Sequence, residues 1–405
     1  MTEGCHNRRV RAVTGATTSG ELRLHNLLRL LRAAHDRAGE ATRSELTRDL
    51  GLARGTAAVL VGDLTDAHLA RERPSPQRGR GRPTAILGPH PEGPLALAVD
   101  LREDGWTIAT AEIGGGLTVR EERPHAAYPP EAVLSDLAAA IDRHLAALGS
   151  RAVGVGVAIP GPIRDGRIVD IPHLSWRDVP ATEILRAGAL PFSLGNDATL
   201  AGLAEARRGA LRGVSVGLHL HVDFDLGGAL LADGNPLHGA RGTAGEFGHM
   251  PLGGSTLSCD CGTVGCWALQ VGASALLRAT GTPVEPGHGR ADALRVLAQA
   301  ADGDARATAA LHEVARDFGA GTAALANALD PERVTVSGLG VRIHDQATDT
   351  FTTAYRDGLM AFRREQPPPV LSAALGADAI LVGASELAFD TFLTPAGLAA
   401  WQPPH

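Results

Sequence analysis

The chain places Cys259, Cys261 and Cys266 within eight residues, the first of them ten residues after His249, with Gly262 and Gly265 at the turns between them. Three thiolates and one imidazole complete the closed tetrahedral set that structural zinc takes, with no position left for water. The reading is that His249, Cys259, Cys261 and Cys266 hold one structural zinc ion and fold their segment around it. Inert buried thiols are the alternative. The remaining cysteine, Cys5, lies in the N-terminal tail, so the spacing favours a metal over disulfides.

At 405 residues the chain exceeds what one hydrophobic core usually organises, which calls for at least two domains. Its net charge of -7 conceals an asymmetry: residues 1–90 carry 15 Arg against 9 acidic residues, and the remainder 23 against 36. A basic head on an acidic body suggests that the head alone meets a polyanion. No stretch reaches the roughly 20 apolar residues that span a bilayer, and the tail, with Arg8, Arg9 and Arg11, lacks the apolar segment of a signal peptide. A cytoplasmic location without a membrane partner is expected.

In the head, Leu24, Leu27, Leu28 and Leu31 follow the spacing of one helical face, which predicts a helix over 21–37 that ends at Gly39. Thr42-Arg43-Ser44-Glu45 fits a capping box and starts a second helix. Gly51-Leu52-Ala53 turns the chain into a third, over 54–68, with Ala57, Leu60, Val61 and Leu64 inward, although Ala53 supplies no capping oxygen. Residues 69–73 and 84–87 then pair as a hairpin. Helix, helix, helix, hairpin is the order of a winged helix-turn-helix. In such modules the third helix enters the major groove by its N-terminus, so Arg54 and Thr56 are the candidate contacts to double-stranded DNA. Arg78, Arg80 and Arg82, spaced by glycines in the hairpin loop, suit an A·T-rich minor groove. A helical bundle that binds another protein is the competing reading. The division is a disordered tail over 1–20, a winged helix-turn-helix over 21–90 and a body over 91–405.

The body is α/β. Strands over 95–101, 151–159, 214–222 and 333–336 alternate with helices such as 131–148, 198–210 and 305–329, and several strands end in Gly-rich turns, where ligands bind in such sheets.

Gly245-Glu246-Phe247-Gly248-His249 followed by Cys-x-Cys-Gly-x-x-Gly-Cys resembles the signature of the ROK family (repressors, open reading frames and sugar kinases). The resemblance extends through Val157 to Pro162, Gly195-Asn196-Asp197-Ala198, Ser337-Gly338-Leu339-Gly340 and Leu375 to Ala379. It implies a two-lobed actin-like, hexokinase-like (ribonuclease H-like) body whose C-terminal helix returns to the first lobe. A winged helix ahead of it is similar to the family's transcriptional regulators. By the same resemblance, sugar hydroxyls are held by Asn196, Asp197, Glu246 and His249, with Pro160-Gly161 closing one side, and Asp197 matches the general base of the kinases. Read from the residues alone, Asp197 is also a good helix N-cap. Where the family usually carries Glu two residues after the last zinc cysteine, this chain has Ala268, so a sugar contact is missing.

The resemblance also identifies two phosphate loops, and both depart from the family. Asp-x-Gly-Gly-Thr is replaced by Asp100-Leu101-Arg102-Glu103-Asp104, and Gly-Thr-Gly by Asp223-Phe224-Asp225 ahead of Leu226-Gly227-Gly228. Phosphoryl transfer depends on close backbone approach to phosphates. Two unshielded charges about 5 Å apart repel by about 3 kcal/mol at an effective dielectric near 20, which opposes ATP. The expectation is a non-catalytic, sugar-responsive repressor that binds an inverted-repeat operator as a homodimer or tetramer, with no ATP. An ATP-dependent sugar kinase with a fused DNA-binding head is the alternative, and a regulator that binds no ligand is a third.

Overall fold

In the computed structural model, which describes residues 18–74, 85–186, 188–252 and 255–404, the head begins with α1 (Ser19–Asp36). The Thr18 side chain accepts from the Glu21 N–H while the Glu21 carboxylate accepts from the Thr18 N–H, a capping box that starts the helix at Ser19. Residues 18–20 are therefore the helix start, a correction to the tail expected over 1–20. Thr42 and Glu45 cap α2 (Arg43–Asp49) in the same way. The third helix, α3 (Arg54–Asp66), follows Ala53 with no side-chain cap and buries Ala57, Leu60, Val61 and Leu64. Strands β1 (Ala70–Pro74) and β2 (Ala85–Pro89) pair antiparallel, Ala70 opposite Pro89. Arg78, Arg80 and Arg82, in the connection between these strands, lie outside the described residues.

The first lobe of the body runs from β3 (Leu95–Leu101) through β4 (Gly105–Glu112), β5 (Leu117–Pro124), α4 (Pro130–Leu148) and β6 (Ala152–Ile159). It continues with β7 (Ile163–Arg164), β8 (Arg167–Ile171), β9 (Trp176–Val179), α5 (Ala181–Leu185), β10 (Phe192–Asn196) and α6 (Asp197–Arg208). The second lobe starts with β11 (Val216–Val222), β12 (Leu226–Ala232) and β13 (Asn235–Pro236), then α7 (Ala273–Thr280), α8 (Gly289–Ala301) and α9 (Ala305–Leu329). It ends with β14 (Arg333–Gly338), α10 (Leu339–Gln346), α11 (Thr348–Gly358), α12 (Ala361–Arg364) and β15 (Val370–Ser372). Helices α13 (Ala379–Phe392) and α14 (Pro395–Ala400) close the chain.

The two lobes repeat one plan. Their sheets have the orders β10-β6-β3-β4-β5 and β13-β12-β11-β14-β15. In each, the first strand pairs antiparallel with its hairpin partner on one side and parallel with a later strand on the other. The β3–β4 and β11–β12 turns are thus equivalent positions, and both reach the cleft between the lobes. Around α9, Trp267, Phe318 and Phe351 pack at ring separations of 6.2 and 5.1 Å inside the second core.

Helix α13 crosses back onto β3, β6 and α6 of the first lobe. Two glycines make that approach: a Cβ at Gly156 would stand 1.9 Å from the Ala384 carbonyl oxygen, and one at Gly383 would stand 2.0 Å from that of Leu200. Leu30, Leu31 and Ala34 of α1 share a core with Phe389, Phe392 and Leu393, so the head rests on the same helix. Burying each of those phenylalanines contributes on the order of 2 kcal/mol. Among the described residues no helix is long and apolar enough to cross a membrane.

Candidate functional site

A cleft of about 370 Å³ opens between the lobes, within the size range of small-molecule sites. It is lined by Pro160, Gly161, Asn196, Asp197, Glu246 and His249, so the structure brings all six expected sugar-binding residues to one place. Gly161 is required in its turn, because a Cβ there would lie 2.9 Å from the Asp170 carbonyl oxygen.

The cap of α6 is Asn196, a correction to the N-cap reading of Asp197. Asn196 Oδ1 accepts from the Thr199 N–H at 3.0 Å, and its amide donates to the Gly161 carbonyl at 3.3 Å. Asp197 occupies the first helical position, where Oδ1 accepts from the Ala198 N–H at 2.7 Å and from the Asn196 amide at 3.0 Å. Its other oxygen is left for the cleft. Burial pushes Asp197 up to about 6, against the pull of His221 and the Ala198 amide. A carboxylate held this way can accept a proton from a sugar hydroxyl or a hydrogen bond from one.

The opposite side of the cleft is where the expected phosphate loops diverge. Arg102 fills the β3–β4 turn, donating to Asp100 at 3.3 Å, Asp104 at 3.1 Å, Glu122 at 3.1 Å and the Thr107 hydroxyl at 2.8 Å. Glu103 Oε1 accepts from the backbone N–H of Gly289 at 2.9 Å, the first residue of α8 in the other lobe. In the β11–β12 turn, Asp223 pairs with Arg290, and Phe224 stacks on His173 at 4.5 Å. Burial pushes Asp100 up to about 6 and Glu103 up to about 7, and the neighbouring Asp223 adds to both. Burial alone lowers His173 to about 4, which keeps it neutral.

His173, His221 and Arg290, which line this cleft, carry no local motif, and the sequence reading missed them. The i, i+2 pair His219 and His221 on one strand was the available signal. His219 bonds Thr335 at 2.9 Å and Ser337 at 3.0 Å, and His221 bonds Ser337 at 2.8 Å.

Beside the cleft, one ligand atom from each of His249, Cys259, Cys261 and Cys266 lies within 4.8 Å of the others. The Cys261 and Cys266 sulfurs are 3.6 Å apart, and Cys259 Sγ is 3.8 Å from His249 Nδ1. A tetrahedral zinc site with thiolate bonds of about 2.3 Å has edges of about 3.8 Å, so the donor set fits that ion in kind and spacing. Nδ1 faces the thiols, while Nε2 lies 4.0 Å from Glu246 Oε2 on the cleft side. A metal here would fix the ring that the cleft uses. Ala268 is buried, and its methyl lies 3.2 Å from where a Cβ on Gly248 would be.

Of the expected DNA contacts, Arg54 and Thr56 are both exposed on the first turn of α3. Arg54 forms no ion pair among the described residues, whereas Arg23, Arg37 and Arg43 of the head are paired with Asp63, Asp49 and Glu72.

Residues 98–391 match the ROK family. A glucokinase of Halalkalibacterium halodurans is 30% identical over 303 residues, which cover 69% of this chain and 86% of that protein. The DNA-binding transcriptional repressor Mlc of Escherichia coli is 25% identical over 316 residues, 74% of this chain and 78% of the repressor. Among solved structures, a ROK family transcriptional regulator homologous to Escherichia coli Mlc superposes with a TM-score of 0.71 at 23% identity, over 93% of this chain and 98% of that one. With the actin-like, hexokinase-like body, the inter-lobe cleft and a match over residues 98–391, the chain belongs to the ROK family.

Proposed function

We propose that the protein is a sequence-specific DNA-binding transcription regulator, a repressor, whose body senses a sugar-like ligand and does not transfer phosphate. The observation that carries this reading is the bond from the Gly289 N–H to Glu103. A helix N-terminus is a ready anion site, and here it is filled by the protein's own carboxylate from the other lobe. Arg102, which fills the β3–β4 turn with its bonds to Asp100 and Asp104, supports the same reading. The exposed, uncapped start of α3 supports the DNA-binding half of the reading, as does likeness to the Mlc repressor. Zinc would hold the Glu246–His249 segment. Ligand binding between the lobes would shift their closure and, in a homodimer, the spacing of two heads.

Selection of binding sites from random DNA tests it. An inverted repeat with A·T-rich flanks is expected, and no enrichment at moderate salt would overturn the proposal. A sugar kinase is the second reading, favoured by the arrangement of Asn196 and Asp197 and by likeness to glucokinases. A coupled ADP-release assay over hexoses and amino sugars separates the two, because turnover abolished by Asp197→Ala would establish the kinase.

A further inference from the structure

Among the described residues, six buried side-chain atoms lack a hydrogen-bond partner, and four of them belong to residues that line the inter-lobe cleft: Asp100 Oδ1, Glu103 Oε2, His173 Nε2 and Asp223 Oδ1. Unpartnered buried polar atoms are rare and costly, so four in one cavity call for a cause. Each carboxylate spends one oxygen on the protein and keeps the other bare. Asp100 Oδ2 takes Arg102, Glu103 Oε1 takes the Gly289 N–H, and Asp223 Oδ2 takes Arg290. Asp100 and Glu103 are more than nine-tenths buried. Glu103 Oε2 and His173 Nε2, both without a partner, stand 3.9 Å apart.

The geometry points to a cationic ligand: a polyol of mono- to disaccharide size bearing a primary ammonium or guanidinium group. The cationic group sits against the free oxygens of Asp100, Glu103 and Asp223, while hydroxyls meet Asn196, Asp197 and Glu246. This inference rests on the ligand-sensing reading of the same cleft. In and beside the two turns stand five carboxylates, Asp100, Glu103, Asp104, Asp223 and Asp225, against two guanidiniums, Arg102 of the first turn and Arg290 of α8. A phosphate placed there meets net negative charge, and a neutral sugar leaves the buried oxygens unpaired. A divalent ion suits carboxylates, but His173 offers it nitrogen where hard cations take oxygen. A site built to receive a donor discriminates strongly against the analogue that lacks it.

Calorimetry on the full chain tests the inference, with glucose, its 2-amino, 3-amino and 6-amino counterparts, glucose 6-phosphate and Mg²⁺ alone. At least one amino isomer should bind tenfold or more tightly than glucose. Asp223→Asn and Glu103→Gln should each shrink that preference and together remove it. Thermal unfolding of each variant guards against misfolding, and Asp223→Asn, in a partly exposed turn, carries the test if Glu103→Gln does not fold. Binding by no amino isomer overturns the inference. So does glucose or its phosphate binding as tightly as every amine, Mg²⁺ alone occupying the site and excluding the amines, or a preference that survives the double variant. DNA is absent from this experiment, so a chain that binds no operator can still pass and one that binds DNA can still fail.

Discussion

The carboxylate of Glu386 lies 3.3 Å from Nε2 of His35, which ties α13 of the body to α1 of the head through a buried contact. Arg208 donates to the same carboxylate at 2.6 Å and Arg207 at 3.0 Å, while His35 Nδ1 accepts from the Gly114 N–H at 3.1 Å. Helix α6, which carries Asn196 and Asp197 at one end, carries Arg207 and Arg208 at the other. One helix therefore runs from the Asn196–Asp197 side of the cleft to the seat of the head.

Replacing Glu386 with Ala should destabilise the protein by about 3 to 5 kcal/mol, because it leaves the mostly buried Arg208 guanidinium without its partner. Burial alone would raise the Glu386 carboxyl, but His35, Arg208 and Arg207 outweigh it and hold it well below the usual carboxylate range. A depressed folded-state value stabilises above the unfolded value of about 4.3 and loses that stabilisation as pH falls below it. Urea unfolding at pH 7 and pH 3.5 should show a large wild-type advantage over the variant at the higher pH that shrinks at the lower.

The protein should contain one zinc per chain, and Cys261→Ser should cost folding and ligand binding together, since His249 belongs to both the donor set and the cleft. Elemental analysis of protein purified in reducing buffer, followed by unfolding with and without chelator, checks this. Metal-free protein with unchanged stability would show that the thiols are inert.

Arg54→Ala should weaken DNA binding by about tenfold and lower the slope of log affinity against log salt by about 1, the signature of one lost phosphate contact. If the loss is confined to particular base pairs, Arg54 reads a base edge instead. Filter binding at several salt concentrations distinguishes the two outcomes.

Local patterns carried most of what the sequence disclosed. The face of α3 follows from Ala57, Leu60, Val61 and Leu64, and the donor set from His249 and three close cysteines, because both depend on spacing along a short segment. Strand β4 is buried on both faces over Gly105–Ala111, so it shows no alternation to read. The helix cap fell to Asn196 instead of Asp197 because both residues are good caps and the Gly161 carbonyl, 35 residues away, takes the Asn196 amide. Loss of the loop glycines was visible, but the destination of Glu103 was not, since its partner Gly289 lies 186 residues further on.

Glu103→Gln should stabilise the protein at pH 8 and do so much less at pH 5. Its carboxyl is 8% exposed and pushed up to about 7 by burial, with Asp223, Asp104 and Asp225 adding to the rise and His173 beside it neutral. A carboxyl whose folded value exceeds its unfolded one costs nothing below about pH 4 and destabilises progressively as pH rises through the folded value. A shift of this size corresponds to roughly 3 kcal/mol above pH 7. Glutamine keeps the acceptor that the Gly289 N–H requires and sheds the charge, so the fold loses no bond. Unfolding at the two pH values measures the difference. A gain at pH 8 would mean that the cleft carries a charge the fold does better without, which is the expected condition of a site whose partner is a ligand. Equal stability at both pH values would mean that Glu103 is already neutralised within the protein, and the cleft would then have no standing demand for a cation.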